Sequence, residues 1–396
     1  MVISNGVICD INGEKKADIR IENGVVVEIG NNLEDDTIID AKGGYILPSL
    51  VDTNISLKDN TLNAKNIKKI SKTAKEGGVG LVVLKPDTTP AIDNEVVLEY
   101  AQKSLAQLEG AQIELMLNAT DSEGKLSNIA ILLKEGAITP YMSTVAKNDV
   151  ALKIAEYVLM YGVTLFCKAE DNSLKNSGVM LESSMSSKLG LAGIPELSEV
   201  LHVSRMIEIA RHYKIKILFK AIASPRSIEL IAQAKKEGVD VSCEVSINHL
   251  LISNEACDGF NTTAKLNPPL ATKEDILKLQ QALKDGKIDI LTTLHQPSSP
   301  VNKEVAFFDA NYGSEALALA LPLYYTKLVK TGLLSMEELL KLTVANPAAA
   351  IGKEMGTIEV GKAGDLVLFN PEKSFVVENS QSLFDKEELF GEMTSL

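Results

Sequence analysis

The sequence predicts an α/β protein: a TIM-like (β/α)8 barrel carrying a small β-sandwich built from both chain termini. Three patterns predict it. Short strand-like runs with Asn-Gly turns fill the first forty residues. A long middle stretch alternates apolar runs with amphipathic helical segments. The strand-like style then returns near the C-terminus.

Taken in order, the N-terminal runs are Met1–Cys9, Lys16–Glu22, Val25–Ile29 and Thr37–Asp40, punctuated by Asn12-Gly13 and Asn23-Gly24. Glycine tolerates positive φ, so both dipeptides read as hairpin turns. Eight barrel strands follow, at Ser49–Ile55, Val79–Leu84, Gln112–Leu117, a weaker Gly136–Tyr141, Val163–Cys167, Ile215–Phe219, Val239–Val245 and Ile288–Thr293. Helix-like segments alternate with them at Leu62–Glu76, Ile92–Leu108, Asp149–Met160, Pro195–Tyr213, Ser227–Lys236 and Lys273–Lys284. In Pro195–Tyr213, Leu197, Val200, Leu201, Ser204, Ile207 and Ala210 fall near helical spacing. Continuous apolar strands alternating with helices imply a buried parallel sheet, and eight is the barrel number. Gly356–Gly361 and Asp365–Pro371 resume the β style. The expected layout is therefore residues 1–48 and 351–396 in the sandwich and 49–350 in the barrel.

Composition excludes several classes. The chain has 396 residues, 45% of them hydrophobic, and a formal charge of −13. That balance, with no basic stripe, argues against non-specific nucleic-acid binding, which needs clustered Lys and Arg. No apolar run approaches the roughly 18 to 20 residues of a membrane span. The N-terminus lacks the basic segment and apolar core of a signal peptide. Cys9, Cys167, Cys243 and Cys257 are widely spaced, which reads as reduced thiols in a cytoplasmic protein. His202, His212, His249 and His295 are the only histidines, thin material for a binuclear metal site.

Several motifs carry a more specific signal. The stretch from Gly43 to Asp59 holds Leu47-Pro48-Ser49-Leu50-Val51-Asp52 followed by Asn54, Ser56 and Lys58. Further along stand Glu170-Asp171-Asn172-Ser173-Leu174, Asn267-Pro268-Pro269-Leu270, Gly313-Ser314-Glu315 and Asn346-Pro347-Ala348. The run Gly356-Thr357-Ile358-Glu359-Val360-Gly361-Lys362-Ala363-Gly364-Asp365-Leu366-Val367 closes the series. In order and spacing these resemble the dihydroorotases of the amidohydrolase superfamily, in the form associated with multifunctional pyrimidine-synthesis complexes. The resemblance runs nearly end to end.

It implies a barrel whose C-terminal mouth holds zinc and lowers the pKa of bound water, with a carboxylate after strand eight as general base. The residues at those positions differ. The His-x-His pair after strand one is Asn54 and Ser56. The bridging-aspartate segment aligns with Tyr141-Met142-Ser143-Thr144, which has no carboxylate. The strand-five histidine becomes Lys168, and the strand-six histidine becomes Ala221, or Lys220 in the neighbouring register. The catalytic aspartate becomes Leu294. Amide and hydroxyl groups are not the imidazole, thiolate and carboxylate donors of protein zinc sites. Of the substrate-binding set, the arginine becomes Lys58 and an asparagine becomes Asp87, while Asn267 and His295 are retained.

The resemblance thus implies a noncatalytic member, a pseudo-dihydroorotase without catalytic residues, zinc or another cofactor. Some such members are structural partners of aspartate carbamoyltransferase, and that partnership is the expectation here, within an oligomer. Two other readings stay open: an amidohydrolase with a displaced or absent metal, and a small-molecule sensor using the vestigial pocket. Plainer structural roles also compete. Lys168 reads as a nucleophile or, more simply, as half of a salt bridge with Glu170 or Asp171. His249 reads as barrel-top packing, and His202 and His212 as surface or edge residues. Glu76-Gly77-Gly78 reads as a helix C-cap rather than a phosphate cradle.

Overall fold

The computed structural model describes residues 1–106, 108–143 and 146–395. Its β-sandwich takes one sheet entirely from the N-terminus, with strands Val25–Gly30, Asp18–Glu22, Val2–Ser4 and Ile38–Asp40 side by side. The other sheet mixes the termini, in the order Glu388–Ser395, Leu366–Val376, Tyr45–Pro48, Val7–Asp10 and Gly13–Lys16. Alternating residues from both sheets, among them Ile3, Ile8, Ile19, Val26, Ile46 and Leu368, close a separate apolar core. The terminal pairing is antiparallel, with Val367 opposite Leu47 and Leu368 opposite Ile46.

Two expected strands take other forms. Met1–Cys9 breaks at Asn5, whose φ of 57° turns the chain from one sheet to the other. Gly356–Gly361 is irregular, because both glycines adopt positive φ, at 111° and 90°. Ile358 still plugs the sandwich, and its N–H donates to Asp10 Oδ2 at 2.9 Å.

The barrel strands are Leu50–Ile55, Val79–Leu84, Gln112–Leu115 continued by Leu117–Asn118, Pro140–Met142, Thr164–Lys168, Lys216–Lys220, Val241–Ser246 and Ile290–Thr292. Their pairings are parallel throughout, with Lys168 in register with Lys220 and Glu244 with Ile290. Side chains tie the last strand to the first. Asp52 on strand one accepts from Thr293 N at 2.9 Å, Thr293 Oγ1 at 2.6 Å and Thr292 Oγ1. Ser56 N donates to His295 O at 3.0 Å.

Helices cover the outside, and their starts follow local chemistry. Asn63, Asn94, Ser224 and Thr272 each accept a backbone N–H three residues on, satisfying one of the free donors at a helix start. Gly77 caps the first helix and packs so closely that a Cβ there would lie 1.8 Å from Leu317 O. No helix among the described residues is long and apolar enough to cross a membrane. The four cysteines are free and buried.

Candidate functional site at the barrel mouth

Polar side chains at the C-terminal ends of the strands converge on a cavity of about 180 Å³. Asn54, Lys85, Asp87, Tyr141, Lys168 and Lys220 line it, with Ala221, Asn267, Leu294 and Tyr312 completing the wall. Of the positions singled out in sequence, Asn54, Lys168, Ala221, Leu294, Asp87 and Asn267 therefore meet at one place.

The floor is an ion pair. Lys220 Nζ contacts Glu244 Oε2 and donates to Thr53 O at 2.8 Å. Glu244 also accepts from Asn54 Nδ2 at 2.6 Å, from Thr53 Oγ1 and from Ala221 N at 3.3 Å. Both ionic side chains are at most 1% exposed. Burial lowers the Lys220 pKa, and the Glu244 carboxylate opposes that shift. Asn54 is thus spent on holding Glu244, and its own Oδ1 has no partner. Ser56 is buried with its Oγ unpartnered.

A second ion pair starts on the adjacent strand, where Lys168 is in register with Lys220. Lys168 Nζ reaches Glu170 Oε1 at 3.1 Å, and Lys175 reaches Glu170 Oε2 at 3.1 Å. Burial pushes the Glu170 pKa up, but the two ammonium groups outweigh it and hold the carboxyl below its ordinary range. Asp171 instead accepts from Ser173 N and Oγ, so the lysine's partner is Glu170. Ala221 and Leu294 share a left-handed backbone, with φ of 50° at each. That conformation disfavours a side chain, and here it re-aims the chain as strands six and eight end.

The expected substrate set separates. Asp87 and Asn267 face the mouth, whereas Lys58 and His295 line a different crevice with Lys69, Thr73 and Glu315. His295 Nδ1 accepts from Ala316 N at 3.2 Å and Leu317 N at 3.3 Å, and burial pushes its pKa down to about 3. A neutral ring held by two backbone donors is a structural clamp, which corrects its grouping with the pocket. His202 is also corrected. It is 2% exposed, and its Nε2 lies 3.1 Å from Cys167 Sγ, because the inner face of its helix packs on strand five. His249 holds the Asn267-Pro268 turn: Nε2 donates to Pro268 O at 3.0 Å while Nδ1 faces Ser246 Oγ at 2.7 Å. His212 is exposed. Tyr141 fills the strand-four position, and Thr144 of that segment lies outside the described residues.

Glu244 and Lys85 belong to none of the motifs singled out, and Asp52 stood in one without an assigned role. Their signal was a charged residue inside or directly after an apolar run, which burial makes costly unless it is paired.

Residues 45–389 match the amidohydrolase family, and the chain belongs to it. A dihydroorotase of Caldanaerobacter subterraneus subsp. tengcongensis is 34% identical over 394 residues, covering 96% of this chain and 90% of that protein. A dihydroorotase of Elusimicrobium minutum is 36% identical over 375 residues, covering 92% and 87%. Within the family the chain is accordingly dihydroorotase-like. Its fold is shared with the L-hydantoinase of Arthrobacter aurescens, with a TM-score of 0.89 at 22% identity over 100% of this chain and 94% of that one.

The zinc implied by this kinship does not fit these residues. Lys168 and Lys220 bring ammonium groups, Ala221 and Leu294 have no donor atoms, and the Asn54 amide is committed to Glu244. Among the described residues no three His, Cys, Asp or Glu side chains converge to hold a metal ion. Elemental analysis of protein purified without a polyhistidine tag is expected to find zinc far below one per chain. Stoichiometric zinc at the mouth would contradict this.

Proposed function

We propose that this dihydroorotase-like chain is a noncatalytic member of its family and a structural partner of aspartate carbamoyltransferase in pyrimidine biosynthesis. One observation carries the noncatalytic half: the buried Lys220–Glu244 pair, braced by Asn54 and Thr53, occupies the floor where the family's chemistry would sit. Leu294 stands in place of the general base, and its side chain cannot take a proton from an attacking water. The strand ends keep their left-handed turns at Ala221 and Leu294 although both side chains are inert. A frame maintained without its chemistry favours a role for the surface, which the proposed partnership would use.

The test is to mix the two purified proteins at micromolar concentration and measure mass by light scattering. A single complex is expected, with an interface of at least about 1,000 Å². Two independent peaks, with carbamoyltransferase stability unchanged, would overturn the partnership. Turnover of dihydroorotate by this chain alone would overturn the noncatalytic reading. A second reading, a small-molecule receptor, is favoured by the open cavity of about 180 Å³ above the ion pair. Thermal stabilisation by a pyrimidine intermediate would support it, since a ligand that binds only the native state raises its stability.

A further inference from the structure

Three lysines line the mouth cavity, and they are not equivalent. Lys220 is paired with Glu244 and Lys168 with Glu170. Lys85 Nζ has no hydrogen bond or ion pair among the described residues, yet it lines the same cavity beside Asp87 and Tyr141. Its backbone is firmly held. Lys85 N donates to Ile55 O at 2.9 Å, and Pro86 O accepts from Ile92 N at 3.0 Å and Asn118 Nδ2 at 3.1 Å. A flexible amine on a fixed platform thus enters a cavity whose other two ammonium groups are each held by a carboxylate.

We propose that Lys85 is a carbonyl-capturing amine, forming a reversible imine with a compact 2-oxo acid or aldehyde admitted to the barrel mouth. The Nζ lone pair attacks the carbonyl carbon, making the N–C bond and a carbinolamine. Asp87 takes the ammonium proton and returns it to the carbinolamine hydroxyl, which leaves as water when the C–O bond breaks. Amine and carbonyl become imine and water, with no oxidant or reductant. A lysine reacts this way when it is desolvated or set beside another cation. Both conditions hold: burial lowers the Lys85 pKa, Asp87 opposes that shift, and Lys168 adds to it. Lys168 and Tyr312, which line the same cavity, suit a carboxylate on the captured molecule. The cavity of about 180 Å³ admits a compact molecule. The proposal does not depend on the carbamoyltransferase partnership.

Reductive trapping tests it. The full chain is incubated with glyoxylate and cyanoborohydride, and adducts are followed at each lysine by peptide mass spectrometry. Lys85 is expected to label about tenfold faster than Lys72, whose side chain is 81% exposed and therefore reports ordinary surface reactivity. Labelling of Lys85 at or below the Lys72 rate overturns the proposal. In Asp87→Asn, labelling of Lys85 is expected to slow severalfold while Lys72 is unchanged. Equal slowing at both residues, or none at Lys85, overturns the assigned proton transfer.

Discussion

Replacing Lys220 with methionine is expected to lower the unfolding free energy by about 3–5 kcal/mol, read as a reduced urea midpoint by circular dichroism. The substitution keeps most of the side-chain volume, so packing alone contributes little. What it leaves behind is Glu244, 0% exposed and without its cation. Three donors would still face that carboxylate, from Thr53, Asn54 and Ala221, so part of the charge stays solvated by the protein. The double variant Lys220→Met with Glu244→Leu is expected to recover most of the loss, because removing both charges also removes their desolvation. A single variant as stable as the parent would show that the pair is not buried as described.

The second large effect is a pH dependence set by Glu199. This residue is 8% exposed at the start of the Leu197–Tyr213 helix. Burial raises its pKa from 4.5 to about 7, against the lowering effect of the Ala223 and Ser224 N–H groups at 2.9 and 3.0 Å. The folded chain therefore holds a proton that the unfolded chain releases. Stability from this group is fully present below pH about 4.5 and is lost as pH rises through about 7. A shift of that size corresponds to on the order of 3 kcal/mol. In Glu199→Gln the side chain is neutral at every pH, so its stability relative to the parent should rise by that amount across the window. Parallel stability curves for parent and variant would disprove the shift. Other groups titrate equally in both proteins and cancel in the difference.

The barrel was legible because its strands and helices obey local rules. Val79–Leu84 and Lys273–Lys284 form where the apolar run and the helical period place them. Ends drifted by one to four residues where strand ends are set by pairing, as in Lys216–Lys220, whose terminal lysine answers a carboxylate on the next strand. The strand Glu388–Ser395 was not anticipated, since it forms by lying along Leu366–Val376, a pairing no local pattern announces.

The sequence by itself determined the family frame and which donors are missing, since residue identity is enough to say that Asn54, Ser56 and Leu294 are neither imidazole nor carboxylate. The resemblance to the dihydroorotases also located the six residues that meet at the mouth, because the family's motifs lie at the strand ends. Only the tertiary structure decided what replaced the lost chemistry. Lys220 and Glu244 lie 24 positions apart, Thr53 and Glu244 191 apart, and contact depends on how adjacent and opposite strands register around the barrel. The same holds for the histidines. The sequence reading put His295 in the substrate-binding set and His202 at the surface or an edge, yet each is fixed by a partner from a distant or neighbouring element, Ala316 N and Cys167 Sγ respectively. A side chain's chemistry is written in its identity, but its protonation and availability follow from burial and partners, which only the folded chain assembles.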